Sequence, residues 1–347
     1  MKKMIALAMA MTMGLSLVAC GSSDTAASTD TAAETTEAAD TADTAEETEV
    51  PSAGGSYTIG ICQLVQHEAL DAATQGFKDA IVEALGEDAV TFDEQNAQGD
   101  SNTCATIING FVAEDADLIL ANATPALQAA QAGTSEIPIL GTSVTEYGVA
   151  LGIDGFDGTV GGNISGTSDL APLDQQAAML NELFPDAKTV GLLYCSAEAN
   201  SQYQVDTVKA ALEDLGYTCS DYAFSDSNDL ASVATSAASD SDVIYVPTDN
   251  TVASNTEIIN NICSAEKVPV IAGEEGICQG CGVATLSISY YDLGKATGEM
   301  AVRILKDGED ISTMPIEYAP NFTKEYNPTI CKDLGIEIPD DYKAIEE

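Results

Sequence analysis

The sequence predicts an α/β protein made of two doubly wound lobes, each with a parallel sheet. Three observations carry this. Short apolar runs alternate with amphipathic segments from residue 56 onward. The alternation restarts as a second set at residue 189. About 290 residues remain after a non-globular start, enough for two modest lobes. Successive strand–helix units of this kind favour parallel sheets with crossover helices.

The first set opens with "YTIGICQL", residues 57–64, as a strand. A helix is expected over 68–85, where Leu70, Phe77, Ile81 and Leu85 fall on one face and Gly86 stops the chain. Val90-Thr91-Phe92 is the next strand and 101–112 the next helix. Leu118 to Ala121 forms a strand, followed by a helix over 125–132 with proline in its first turn. A strand at 137–140 closes the set. Residues 152–166, rich in glycine, read as an irregular connection near a lobe crossing; Asp154 and Asp157 lack the glutamate spacing of a calcium loop. The second set pairs strands at 189–194, 218–224, 243–246 and 268–272 with helices at 202–215, 229–238 and 252–265. A strand at 284–289 and a long helix over about 291–305 follow, the helix striped by Leu293, Met300, Ala301, Ile304 and Leu305.

The N-terminus is a processing signal. Met1-Lys2-Lys3 precedes an apolar stretch too short to span a bilayer, and this ends in Leu17-Val18-Ala19-Cys20-Gly21. That pattern matches a bacterial lipoprotein signal over residues 1–19, with Cys20 as the lipidated first residue of the mature chain. Stable anchoring takes more than one acyl chain, which a diacylated N-terminal cysteine supplies. Residues 20–55 are a run of Ala, Thr, Ser, Asp and Glu with no Lys or Arg. Few large apolar side chains are available to offset chain entropy, so a disordered acidic tether of roughly 30 Å is expected.

The chain carries 56 acidic and 12 basic residues, a formal charge of −44. This excludes a nucleic-acid partner and an electrostatic hold on anionic membrane, because no basic patch can be assembled. Of nine cysteines, Cys62 and Cys195 sit in strand patterns as small buried residues. Cys278-Gln279-Gly280-Cys281 has no second ligand pair at zinc spacing. It reads as a loop carrying a disulfide or free thiols, with a thiol oxidoreductase as the alternative. No G-x-S-x-G elbow, phosphate loop or dinucleotide fingerprint is present, and His67 is the single histidine. No enzyme activity, metal or cofactor is expected.

Ligands of open parallel sheets sit beyond the carboxyl ends of the strands. Those ends are polar here: Gln66-His67, then Thr124, Thr142 and Ser143 in the first set. The second set offers Ser196, Asn200 and Ser201, then Asp249-Asn250, then Glu274. The same residues suit helix capping. Asp249 and Glu274 stand out because a carboxylate in a cleft needs a cationic partner, and basic side chains are scarce.

The blocks "LVQHEALDAATQGF", "DEQNAQGD", "ANATPALQAAQ", "GGNISGTSD", "YCSAEANSQYQV", "VPTDNTVAS", "VPVIAGEEG" and "ATLSISYYDLGKATGEMAVRIL" resemble, in order, the substrate-binding lipoproteins of ABC transporters associated with aromatic amino acids such as tryptophan. The resemblance covers nearly all of residues 56–338. Glu68 replaces a proline common in the family, and "ICQGC" is a cysteine-bearing form of its loop. The resemblance implies a type I periplasmic-binding fold with a hinge of three crossings, two of them near Ser165-Gly166 and Ser289-Tyr290. Lobe 1 would comprise 56–165 plus about 291–318, and lobe 2 would comprise 166–290 plus about 319–347. It implies a monomer that captures an amino-acid-like ligand outside the cytoplasm and serves a permease and an ATPase on separate chains; a sensory lipoprotein is the alternative. Asp249, assisted by Glu274, would hold the ligand ammonium. Thr124, Thr142 and Ser143 would hold its carboxylate, and Tyr194 and Tyr290 are candidates to pack on its side chain.

Replacing Cys20 with serine is expected to move the protein from the membrane fraction to the soluble fraction. Retention of Cys20→Ser on membranes in detergent-free fractionation contradicts the lipid anchor.

Overall fold

The apolar runs become strands of two separate sheets, and the polar strand ends of the two sheets face each other. The computed structural model describes residues 56–319 and 321–346. The expected signal peptide, Cys20 and the tether lie outside the described residues.

The first sheet takes β1 (Tyr57–Gln63), β2 (Val90–Asn96), β3 (Leu118–Asn122), β4 (Ile139–Val144) and β5 (Ile164–Ser168). Between them run α1 (Glu68–Leu85), α2 (Ser101–Ala113), α3 (Thr124–Gly133) and α4 (Tyr147–Leu151). The second half holds α5 (Leu173–Leu183), β6 (Thr189–Cys195), α6 (Ala199–Asp214), β7 (Thr218–Phe224), α7 (Ser227–Asp240) and β8 (Val243–Val246). It continues with α8 (Asn250–Ala253), α9 (Thr256–Glu266), β9 (Val270–Ala272), α10 (Glu275–Cys281) and β10 (Ala284–Ser287). The chain ends through α11 (Tyr290–Leu305), β11 (Glu317–Tyr318), β12 (Thr323–Tyr326), α12 (Pro328–Leu334) and β13 (Lys343–Ala344).

The first sheet has the order β11-β5-β4-β3-β1-β2 and the second β13-β12-β10-β9-β8-β6-β7. Both contain the doubly wound order in which the second strand lies outside the first and the third follows on the other side. The switch points therefore fall between β1 and β3 and between β6 and β8, where crevices open at the strand ends. Pairing is parallel throughout except for β12, which runs antiparallel to β10. Successive residues face opposite layers. Ile59 and Ile61 pack with Phe77, Ile81 and Met300 on one side of the first sheet. Cys62 packs with Ile108, Phe111 and Leu127 on the other. In the second sheet Tyr194 packs with Leu192, Val205 and Val208, so it belongs to the core.

Several boundaries differ from the sequence reading for local reasons. The helix expected over 252–265 is broken into α8 and α9. Ser254 Oγ donates to the Asn250 carbonyl (3.0 Å) and Asn255 Nδ2 to the Thr251 carbonyl (2.8 Å). Side chains that bond their own backbone compete with helix continuation. The glycine-rich stretch ends in β5, which stays in the first sheet to Ser168, beyond the crossing expected near Ser165-Gly166. Cys278 and Cys281 lie on α10, in place of the expected loop.

The first and second halves are stitched by α11, which starts at the end of β10 and packs along α1 of the first lobe. Glycine permits the approach. A Cβ on Gly294 would overlap the Ala73 carbonyl oxygen, and one on Gly76 would overlap that of Tyr291. Gly294→Ala is expected to destabilise the protein by about 1–3 kcal/mol, the usual cost of overpacking a close contact. A urea midpoint equal to that of the unmodified chain contradicts this packing argument.

Candidate functional site

The first lobe contributes two residues in uncommon backbone conformations. Ala123, at the end of β3, has φ 87°, and Ser143, in β4, has φ 54°. Non-glycine residues with positive φ are costly and cluster at ligand sites. Ala123 leaves the N-terminus of α3 without a side-chain cap, so the first N–H groups of that helix lack the usual partner. Ser143 is buried, and its Oγ has no hydrogen-bond partner among the described residues. Thr124 is buried at the start of the same helix. Thr142 turns the other way. Its hydroxyl meets Thr167 (3.2 Å) and Thr297 (3.1 Å) in a buried cluster that joins β4, β5 and α11.

Asp169 follows β5 directly, where the chain leaves the first sheet. Its N–H donates to the Val144 carbonyl (3.3 Å), and its Oδ2 accepts from the Tyr290 hydroxyl (2.9 Å). Its Oδ1 is buried with no hydrogen-bond partner among the described residues. Burial raises its pKa, against the opposing pull of the Tyr290 and Thr145 hydroxyls. The sequence reading missed Asp169, because it took 152–166 as irregular and so did not see the strand whose carboxyl end this residue occupies. No apolar alternation marks Ile164-Ser165-Gly166-Thr167-Ser168, in which only Ile164 is large and apolar although all five are buried. Tyr290, a candidate to pack on a ligand, donates its hydroxyl to Asp169.

In the second lobe Asp249 is engaged by backbone N–H groups. Its Oδ2 accepts from the Cys195 N–H (2.7 Å) and its Oδ1 from the Val252 N–H (2.9 Å), so both oxygens are engaged within their own lobe. It caps α8. Glu274 does the same for α10, accepting from Gly276 N–H (2.7 Å) and Ile277 N–H (2.5 Å). The physical reason is the one that makes Asp and Glu good caps: helix starts present unpaired N–H donors that a carboxylate satisfies. Burial, and then Glu198, push Asp249 up to about 8. Burial pushes Glu274 up to about 7.

Glu198, also missed in the sequence, is buried and accepts from Asn250 N–H (3.0 Å), Asn250 Nδ2 (2.6 Å), Thr251 N–H (2.9 Å) and Thr251 Oγ1 (2.8 Å). Asn200 donates its Nδ2 to the Thr248 carbonyl (3.0 Å), while its buried Oδ1 has no partner. Ser201 lies buried beside it. Ser196 is exposed and donates to the Phe224 carbonyl (3.0 Å). Gln66 is exposed. His67 and Asn250 bond to each other, Nε2 to Oδ1 at 3.1 Å. Gln204, whose oxygen accepts from Thr248 N–H (3.1 Å), reaches across to Thr145 Oγ1 (3.5 Å). The last two contacts join the lobes directly.

The arrangement can hold a zwitterion. An uncapped helix start and a hydroxyl lie on one lobe; an unpaired carboxylate oxygen and an unpaired amide oxygen lie at the junction with the other. No ion pair among the described residues involves Asp169, Asp249 or Glu274. Cys278 and Cys281 are buried free thiols whose pKa burial drives upward, the opposite of what thiol exchange requires. No helix among the described residues is long and apolar enough to cross a membrane.

A family model described as ABC transporter substrate binding protein matches residues 58–345. A relative named tyrosine-binding protein, from Clostridioides difficile strain R20291, is 36% identical over 260 residues, covering 74% of this chain and 75% of its own. Among solved structures, an ABC domain from Streptococcus pneumonia in complex with L-Trp is 33% identical, with TM-score 0.79, covering 82% of this chain and 97% of the other. The ligand-free, open structure of a substrate-binding protein with adhesive properties from Clostridium difficile is 39% identical, with TM-score 0.64, covering 84% and 99%. The better superposition on the L-Trp complex, despite its lower identity, agrees with the cross-lobe contacts at His67 and Gln204: the lobes here are drawn together.

Asp169, Asp249 and Glu274 all have raised values in the folded protein, so folding takes up protons. For Asp249 and Glu274 the stabilising contribution is full below the ordinary carboxylate range and is lost as pH rises through about 8 and about 7 respectively. The melting temperature is therefore expected to be higher near pH 6 than near pH 8.5 at fixed ionic strength. Asp249→Asn keeps one capping acceptor and should flatten the upper part of that slope. A melting temperature that rises with pH over this interval contradicts the assignment.

Proposed function

Because the chain belongs to the family of ABC transporter substrate-binding proteins, we propose that it captures an amino acid with an aromatic side chain between its lobes and delivers it to a permease and an ATPase on separate chains. Members of this family act outside the cytoplasm and bind solute without transforming it. In our reading Cys20 carries the lipid that keeps the protein at the membrane, and residues 21–55 give it reach.

The observation that carries the ligand class is the set of buried polar atoms left unpaired where the lobes meet: Ser143 Oγ, Asp169 Oδ1 and Asn200 Oδ1. A buried polar atom without a partner costs free energy. An unpaired carboxylate oxygen calls for a cation, which this chain hardly provides. An α-ammonium group supplies it at Asp169, with Asn200 as a second acceptor. The α-carboxylate then meets the start of α3 and the Ser143 hydroxyl, where N–H groups and the helix dipole favour negative charge. Asp249 and Glu274 serve as caps beneath this site. The aromatic side chain is supported by the relatives, one named for tyrosine and one solved with L-Trp.

Calorimetry tests the reading with L-tryptophan, L-tyrosine and their deaminated analogues. The amino acids should bind and the analogues should not. Asp169→Asn should weaken binding by roughly 30- to 1,000-fold, as when one partner of a buried charge pair is removed. Asp249→Asn should change it by less than about threefold. Failure of both amino acids to bind, or an Asp169→Asn variant within twofold of the unmodified protein, overturns the assignment.

A further inference from the structure

His67 stands at the start of α1 in the first lobe, and Asn250 at the start of α8 in the second. Their side chains meet at 3.1 Å. The chemistry fixes the direction of this bond. Asn250 Nδ2 donates to Glu198 Oε2 at 2.6 Å. Reversing the amide would set its oxygen against a carboxylate, so Oδ1 is the atom that faces His67. An amide oxygen only accepts, hence the imidazole carries its hydrogen on Nε2. Glu198 in turn is held by the N–H groups of Asn250 and Thr251. The second lobe thus presents a rigid, pre-aimed acceptor, and the first lobe supplies one donor that opening would withdraw.

We propose that His67 is a closure latch: a positioning residue that sets how long the closed lobes retain ligand, and that loosens in acid. The retention it controls rests on the ligand reading above, whereas the latch itself does not.

The charged groups around His67 are Glu68 beside it and Asp71 one turn along α1, and Glu198 from the second lobe. Ala253, Ser254, Gly276 and Gln279 line the same recess without charge. Burial in the closed form lowers the imidazole pKa from its ordinary 6.5, against weaker opposing pulls from Asn250, Glu198 and Asp71. A group that binds its proton less well when the lobes are closed supports closure fully above its open-state value. That support is lost as pH falls below it. Retention should therefore weaken from about pH 6.5 downward.

His67 is the single histidine, so its imidazole signals in nuclear magnetic resonance need no assignment among others. In the protein without added ligand they should report the Nε2–H tautomer and titration below 6.5. Asn250→Ala should return both to ordinary values. With L-tryptophan, stopped-flow release should be about tenfold faster for His67→Ala, as expected for one hydrogen bond. His67→Gln, which keeps an amide donor but cannot titrate, should stay within about threefold at pH 7.5 and lose the acid dependence seen down to pH 5.5. An Nδ1–H tautomer, titration at or above 6.5, or an unchanged release rate in His67→Ala overturns the latch. If the unmodified protein binds no L-tryptophan, the ligand reading fails alone, and the resonance measurements still decide the latch.

Discussion

Scarcity of cations governs this molecule. With 56 acidic and 12 basic residues, only one buried carboxylate among the described residues, Glu325, has a lysine partner, Lys343 at 3.1 Å; most must find neutral donors. Asp249, Glu274 and Glu198 all do so at helix starts, where the backbone offers N–H groups that nothing else satisfies. The helices of the second lobe are thereby tied to the strand ends that precede them. Asp169 is the exception. It follows a strand at the hinge, receives one phenolic hydroxyl, and keeps one oxygen unpaired. In the proposed function this is the carboxylate that a cationic ligand group would meet.

The doubly wound sheets explain why these groups converge. In each lobe the chain reverses its winding between adjacent parallel strands, and the loops on either side of that reversal diverge to leave a crevice. Ala123, Ser143 and the pair Glu198 and Asn200 lie at three such strand ends, those of β3, β4 and β6. The strained φ values of Ala123 and Ser143 are tolerated because buried sheet and helix surround them. The packing of α11 on α1, at backbone contact through Gly76 and Gly294, returns the chain to the first lobe and places Tyr290 against Asp169. Tyr290 and Asp169 therefore meet where the chain passes between the lobes.

Closure rests on few bonds. His67 to Asn250 and Gln204 to Thr145 cross the junction, while each partner in the second lobe is held by several bonds of its own. Rigid lobes joined by sparse contacts are suited to hinge motion, since opening withdraws only those contacts and leaves both cores intact. Glu68 meets Gly276 at the same rim. Gly276 directly precedes the cysteine-bearing segment, whose Gln279 and Gly280 line one recess with Glu68.

The sequence by itself determined the α/β class, the repeat of strand–helix units, and most of the strands. Apolar periodicity reports burial, and burial in a sheet flanked by helices is nearly the same wherever the strand lies. It also located the polar strand ends, which brought Ser143, Asn200 and His67 into view. It could not say which carboxylate was spoken for. Asp249 and Asp169 both follow buried strands, and locally they look alike. Asp249 has the start of α8 and the Cys195 N–H within reach, and Asp169 has neither. Those partners come from residues distant along the chain, Cys195 for one and Tyr290 for the other, and only the tertiary structure brings them close. The same holds for His67 and Asn250, each legible as polar and near the cleft, whose pairing depends on two lobes meeting face to face. Hydrogen-bond satisfaction is settled by three-dimensional neighbours, and a linear pattern records only the supply of donors and acceptors.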